Sequence, residues 1–285
     1  MENVVSSKQK VIDYFTRKES RWGYSLLLKG VKHFGYYPEG REKISMTEAQ
    51  QLMVDKLYEK LSLKAGSLLL DAGCGEGGVA TYLASKYQFQ VKGVDLLDFS
   101  IEKANIKRAR LALENKVEFR VGDYEDLDLP DGMFDGVFAM ETLVHATDYQ
   151  KALWQFRRVL KPSGKLVLFE YSICPLENIP PGLRETVETV IQEGAMHSLP
   201  YFVHERFPEI LEKAGFQNVT AENITPRIIP MLKRFHQIAF MPYWFVKLLR
   251  LQRKFVNMTA GAEGYKNIVK NDFGRYNIIT AIKPA

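Results

Sequence analysis

Three carboxylates each stand where a predicted strand ends. Asp71 closes the apolar run LLLD (68–71), Asp95 closes VKGVD (91–95), and Asp123 closes VEFRVGD (117–123). The first is followed at once by the turn Gly73-Cys74-Gly75-Glu76-Gly77-Gly78, and VATYLASKY behind it has helical spacing. A buried strand feeding a glycine turn and a helix reads as a nucleotide-cofactor site. Glycine lets the backbone approach the ligand, and the helix N-terminus offers unpaired N–H groups. The turn satisfies G-x-G-x-x-G, so a nicotinamide dinucleotide is one candidate, on a weak pattern.

The carboxylates narrow the choice. Asp95 suits either ligand, because both carry ribose hydroxyls. Asp71 faces the ligand just before the glycines, where a carboxylate favours a cation over a pyrophosphate. Asp123 can accept from the exocyclic amine of adenine. The N–H groups of the turn then need bind only a carboxylate. S-adenosylmethionine combines these parts: a sulfonium, an amino-acid head, a ribose and an adenine.

Strands and helices alternate around these residues. LLLD precedes a helix at 77–87, and VKGVD precedes one that starts at Ser100, an expected N-cap. FDGVFAM (134–140) leads to a helix at 148–160, KPSG makes a tight turn, and KLVLFEYSI (165–173) is the fifth strand. Apolar strands separated by helices imply a parallel sheet covered on both faces. Upstream, KVIDYF and MTEAQQLMVDKLYEKLSL are amphipathic, with Thr47 an expected cap and HFGYYPEG an aromatic break between them. Downstream, 182–194 and HERFPEILEKAGF read as helices, FQNVTAENI and NIITAIKP as strands, and 226–262 as a helical, aromatic and basic insertion. The reading gives a helical N-terminal segment (1–62), a core (63–225), a cap (226–262) and a final core strand (263–285).

LLDAGCGEGG, VKGVDLLDFSIEKAN, VGDYEDLDLPDGMFDGVFAMETLVHATD and RVLKPSGKLVLFEYS resemble the successive motifs of class I S-adenosylmethionine-dependent methyltransferases. The resemblance implies an α/β, Rossmann-like, doubly wound sheet of seven strands, the last antiparallel. FQNVTAENI and NIITAIKP would form its edge hairpin. It also implies that Asp71 with the backbone of Gly73 and Gly75 holds the methionine moiety. Asp95 holds the ribose, Asp123 with Tyr124 reads the adenine, and Leu96 and Met140 lie beside the cofactor. S-adenosylhomocysteine would be the product, and no metal is expected.

HFGYYPEG, METLVHATD and GAEGYK resemble more closely the small-molecule enzymes of that family, which act on sterols, tocopherols and natural products. On that likeness the N-terminal segment folds over the cofactor, and Phe34, Tyr36, Tyr37, Glu141 and Tyr171 face the acceptor. A hydroxyl acceptor needs a base. His145 and Glu170 match positions used for acid–base work in related sugar methyltransferases. An alkene acceptor would instead leave a carbocation, for which aromatic faces are at hand, from Tyr14, Trp22, Tyr24 and His33 to Tyr201 and Phe202.

Bulk properties bound the partners. A formal charge of +5 over 285 residues is mild and spread along the chain, so nucleic acid is not expected. Two cysteines, Cys74 and Cys174, fit a reducing compartment, and no signal peptide or membrane span is evident, so a cytoplasmic location is expected. The segment 234–255 mixes bulky apolar residues with Arg and Lys and contains no acids. It could close over a greasy pocket or dock on a membrane surface. The expected partner is a hydrophobic small molecule, with a homodimer left open. The rival readings are a nucleic-acid or protein methyltransferase, a non-catalytic cofactor-binding protein and a dehydrogenase.

Overall fold

Seven strands form one mixed sheet in the order β3-β2-β1-β4-β5-β7-β6. A computed structural model describes residues 2–17 and 31–285. The strands are β1 (Leu68–Ala72), β2 (Gln90–Asp95), β3 (Val117–Val121), β4 (Phe134–Met140), β5 (Leu160–Ile173), β6 (Gln217–Asn223) and β7 (Gly274–Ile282). β1 to β5 run parallel, and β7 inserts antiparallel between β5 and β6. The edge hairpin expected from FQNVTAENI and NIITAIKP is therefore present. β1 sits between β2 and β4, so the crevice at its C-terminal end is the topological switch point where ligands of such sheets bind. Asp71 and Asp95 both lie at that end.

Nine named α-helices surround the sheet among the described residues: α1 (Glu2–Thr16), α2 (Met46–Leu61), α3 (Gly78–Tyr87), α4 (Asp98–Arg110), α5 (Tyr149–Val159), α6 (Pro181–Glu193), α7 (Phe207–Lys213), α8 (Thr225–Leu248) and α9 (Val256–Asn271). One core layer gathers Phe134, Val137 and Leu168 with Phe156 of α5 and Phe207 of α7. The opposite layer gathers Leu69, Phe138 and Phe169 with Leu57 of α2 and Leu83 of α3. Alternate residues of β4 thus feed opposite faces, as the pleat requires.

Four local expectations are corrected. Ser45, not Thr47, caps α2 by accepting from the Glu48 N–H at 3.1 Å. Ser100 lies inside the first turn of α4, whose N-cap is Leu97. KPSG is absorbed into β5, because Ser163 donates to the Lys283 carbonyl (3.0 Å) and Lys283 donates back to Gly164 (2.9 Å). The helix after 256 runs past 262 to Asn271 before β7 begins.

Phe138 is fully buried at the sheet centre, beside Asp71 in the β1–β4 register. Phe138→Ala should destabilise the fold by about 3–5 kcal/mol. Urea unfolding should show a lower midpoint at unchanged slope; a midpoint shift of a few tenths of a molar or less would contradict this placement.

Candidate active site

The glycines of the turn have separate physical causes. Gly73 (φ +84°) is pressed against Thr142, whose Cγ2 would lie 2.6 Å from an added Cβ. Gly77 (φ +71°) has Phe119 Cζ at 2.5 Å in the same sense. Gly75 (φ +51°) has open space around it, so its left-handed backbone, not crowding, selects glycine. Asp95 accepts from the Gly75 N–H at 2.8 Å and from the Leu97 N–H at 3.0 Å, which fixes the turn to the end of β2.

Asp71 is 3% exposed, and its buried Oδ2 has no hydrogen-bond partner. Burial, with the nearby Asp95 charge, holds its carboxyl well above the usual carboxylate range. Burial also raises Asp95, against the opposing Lys32 ammonium. Such an orphaned carboxylate is costly unless something positive meets it. The sulfonium and ammonium of S-adenosylmethionine supply that charge, so these residues fit that cofactor. Asp123 accepts from the Glu125 N–H at 2.8 Å and pairs with Lys8 of α1. The Tyr124 hydroxyl donates to the Thr142 carbonyl at 2.9 Å, and Thr142 donates to Ala72 at 2.9 Å.

One cavity of about 1900 Å³ joins this cradle to an apolar chamber. A pocket for a single small molecule is about 300–1,000 Å³, so there is room for a cofactor and a second molecule. Asp71, Gly73, Gly75, Asp95, Leu96, Asp123, Tyr124 and Met140 all line it. So do Phe34, Glu141, Tyr171 and His145. The chamber walls add Val187, Val190 and Ile191 of α6 and Leu232, Phe235 and Ile238 of α8. α1 contributes Lys8, Val11, Tyr14 and Phe15.

Several expected residues lie elsewhere. Glu170 is fully buried but is not on the cavity wall; one oxygen accepts from the Leu143 N–H at 2.6 Å, and Oε2 is unpartnered. Burial pushes its carboxyl up to about 8, so it sits there as a neutral acid bracing the chain after β4. Tyr36 and Tyr37 also miss the wall. Gly35 packs so tightly on α2 that an added Cβ would meet Ala49 Cβ at 2.5 Å, and beyond it the Tyr36 N–H donates to Ala49 and the Tyr37 N–H to Arg227. Tyr37 is buried beside Met231, and its hydroxyl accepts from Arg234 at 3.2 Å. Phe202 is a core residue stacked on Phe207 at 4.3 Å, and Tyr201 is exposed. Trp22 and Tyr24 lie outside the described residues.

Among the titratable groups on the cavity wall, Glu141 and His145 are the candidates for proton transfer. Glu141 follows β4 at φ +57°, an uncommon backbone for a side chain of this kind. Its Oε1 accepts from the Phe34 N–H (2.6 Å) and the Tyr276 hydroxyl (2.7 Å), and its Oε2 from the Tyr171 hydroxyl. Burial pushes the carboxyl up to about 7, against these three donors. His145 is enclosed by Tyr14, stacked at 5.9 Å, and by Phe15, edge-on at 5.1 Å. Its Nδ1–H donates to the Ala195 carbonyl at 3.1 Å, a tautomer assigned from that partner. Burial lowers its imidazole to about 4, so it is neutral at physiological pH.

Lys8, Lys32, Glu125 and Tyr276 were not legible as site residues. Glu125 is buried and accepts from the N–H and hydroxyl of Thr147, at 2.6 and 2.7 Å. Lys32 brings its ammonium towards Asp95 and over the rings of Phe15 (4.9 Å) and Phe99 (5.9 Å). Neither lysine belongs to a motif. Tyr276 immediately precedes NIITAIKP, where strand alternation could have flagged it.

The methyltransferase domain family matches residues 70–168. An S-adenosyl-L-methionine-dependent Diels-Alderase of Talaromyces variabilis is 35% identical, over 98% of this chain and 96% of its own. The 27-O-demethylrifamycin SV methyltransferase of Amycolatopsis mediterranei is 32% identical over 72% of this chain and 71% of its own. The geranyl diphosphate C-methyltransferase of Streptomyces coelicolor A3(2), solved with geranyl diphosphate and S-adenosyl-L-homocysteine, shares the fold. It has a TM-score of 0.72 at 18% identity, covering 97% of each chain. With the cradle, the sheet order and the full-length similarity in agreement, the chain belongs to the class I S-adenosylmethionine-dependent methyltransferases of small molecules.

Proposed function

We propose that this enzyme methylates a hydrophobic natural product, of isoprenoid, sterol-like or polyketide type, at carbon or oxygen. The observation that carries the reading is the single cavity, which has Asp71 and Asp95 at one end and apolar side chains at the other. S-adenosylmethionine supplies an electrophilic methyl group and departs as S-adenosylhomocysteine. Asp71 and the turn hold its amino-acid end, Asp95 and Leu96 its ribose, Asp123 and Tyr124 its adenine, with Met140 alongside. Walls from α1, α6 and α8 exclude water and press the acceptor towards that end, which is the alignment that transfer to carbon or oxygen needs.

The proton acceptor is Glu141, acting through Tyr171. An acceptor hydroxyl passes its proton to the Tyr171 oxygen while Tyr171 passes its own to Glu141, which gives the substrate oxygen its nucleophilic form. A carboxyl near 7 is matched to this task at neutral pH. His145, near 4, is a poor proton sink. Its Nε2 is left as a neutral acceptor that can orient the substrate.

A second reading has a specific support, the similarity to a Diels-Alderase along the whole chain. The same chamber could fold a linear polyene for ring closure, with the cofactor bound and not consumed. Mass analysis of products separates the two. Methylation adds one methylene unit and releases S-adenosylhomocysteine, whereas ring closure changes neither mass nor cofactor.

Asp95→Ala should weaken S-adenosylmethionine binding by about 10- to 100-fold in titration calorimetry, because it removes a charge-assisted contact and loosens the turn. Unaltered affinity would displace Asp95 from the ribose site. Turnover should rise with pH through about 7 as Glu141 ionises, because its proton-accepting form is lost below that value. Glu141→Gln should flatten this rise and lower turnover by about 10²-fold or more. A profile that keeps its inflection in Glu141→Gln would exclude Glu141 as the acceptor. His145→Ala should leave cofactor affinity intact and lower turnover; unchanged turnover would remove His145 from the chemistry.

A further inference from the structure

The helix that roofs the chamber turns a second face outward. On α8, Ala239, Tyr243 and Val246 pack with Ala262 of α9. Phe240, Met241, Trp244, Phe245 and Leu248 of α8, with Leu249 just after it, are each between 55% and 76% exposed. Scattered apolar residues on a surface need no explanation, but a contiguous patch of this kind marks a binding surface.

Charge identifies the occupant. Residues 223–262 contain no Asp or Glu. Lys247, Arg250, Arg253 and Lys254 gather at the end of this face, and all four are exposed. The next acid, Glu263, is hydrogen-bonded to the Tyr243 hydroxyl. A second copy docking here through a two-fold contact would set one basic cluster against the other, with no acid between them. An anionic bilayer has the complementary character: bulky apolar and aromatic side chains enter the headgroup boundary while Lys and Arg meet lipid phosphates and carboxylates.

The face is continuous with the mouth of the chamber. Ile238 and Pro242 are exposed and also line the cavity, as does Lys254. Ile238, Met241, Pro242 and Phe245 stand at i, i+3, i+4 and i+7, so one helical stripe runs from the exposed side to the cavity rim.

We infer that the exposed face of α8, with the basic cluster that follows it, docks the enzyme on an anionic membrane surface, so that a lipid-dissolved acceptor enters the chamber directly. The surface attachment stands apart from the methyl-transfer reading, because docking is measured without turnover. Flotation with phosphatidylcholine vesicles, with and without phosphatidylserine, tests it. The protein should float with the anionic vesicles, less at high salt, and hardly at all with phosphatidylcholine alone. Trp244→Ser with Phe245→Ser, and separately Lys247→Glu with Arg250→Glu, should each weaken vesicle binding by about tenfold or more. Both double variants should keep wild-type melting and cofactor affinity, which shows that they are folded. Absence of flotation with either vesicle would overturn the proposal. So would a dimer in sedimentation velocity that the Trp244/Phe245 variant dissociates, since the face would then be an interface between copies of the chain.

Discussion

Two carboxylates, Asp71 buried and Asp95 half-buried, at the ends of adjacent parallel strands set the terms for the rest of this molecule. Asp71 and Asp95 lie at the C-terminal ends of adjacent strands at the switch point, and burial together with the Asp95 charge raises the free-energy cost of ionising Asp71. The fold could have avoided that cost with apolar residues. It keeps the carboxylates, with one oxygen of Asp71 lacking any hydrogen bond, an arrangement that a cationic ligand would complete. The turn glycines then follow: Gly73 and Gly77 leave room for Thr142 and Phe119, and Gly75 carries the N–H that ties Asp95 to the turn.

The same economy governs the chamber. Burial sets the protonation of Glu141 and His145. Glu141 is drawn towards neutral pH by loss of solvent and held partly back by Phe34, Tyr171 and Tyr276. Glu170 on the next strand is pushed up to about 8 by burial, against the backbone N–H groups beside it and with the nearby Glu141 charge adding to the rise. The two carboxyls differ in place: Glu141 lines the chamber, whereas Glu170 lies off its wall and braces the backbone of Leu143. His145, packed between aromatic rings of α1, remains neutral.

Much of this was legible in the sequence, and the rest was hidden for physical reasons. Periodicity and turn chemistry fixed β4 at 134–140 and the order of the core strands, because those elements are local in cause. The eight residues expected at the cofactor share one cavity because each lies at or just beyond a strand end, where position along the chain determines position in space. The acceptor side was less legible. Glu170 and Glu141 both follow from the ends of parallel strands, and only tertiary packing decides which faces the chamber. Tyr36 and Tyr37 belong to the same cluster as Phe34, yet Gly35 docks on Ala49 and turns the chain away from the cavity. Lys8 and Lys32 reach Asp123 and Asp95 from segments with no motif at all. The capping residue Ser45 was displaced by one choice of competing hydroxyl, Thr47, which no pattern could arbitrate.

Asp71 is the place where an arriving cation would complete a buried charge. Titration calorimetry of S-adenosylmethionine binding, repeated near pH 7 in buffers of different ionisation enthalpy, counts the protons exchanged on binding. Burial favours the neutral form of this carboxyl and an arriving cation favours the ionised form, so binding should release a proton, and Asp71→Asn should abolish that release and weaken binding. Binding with no proton release, or with the same release in Asp71→Asn, would contradict the account.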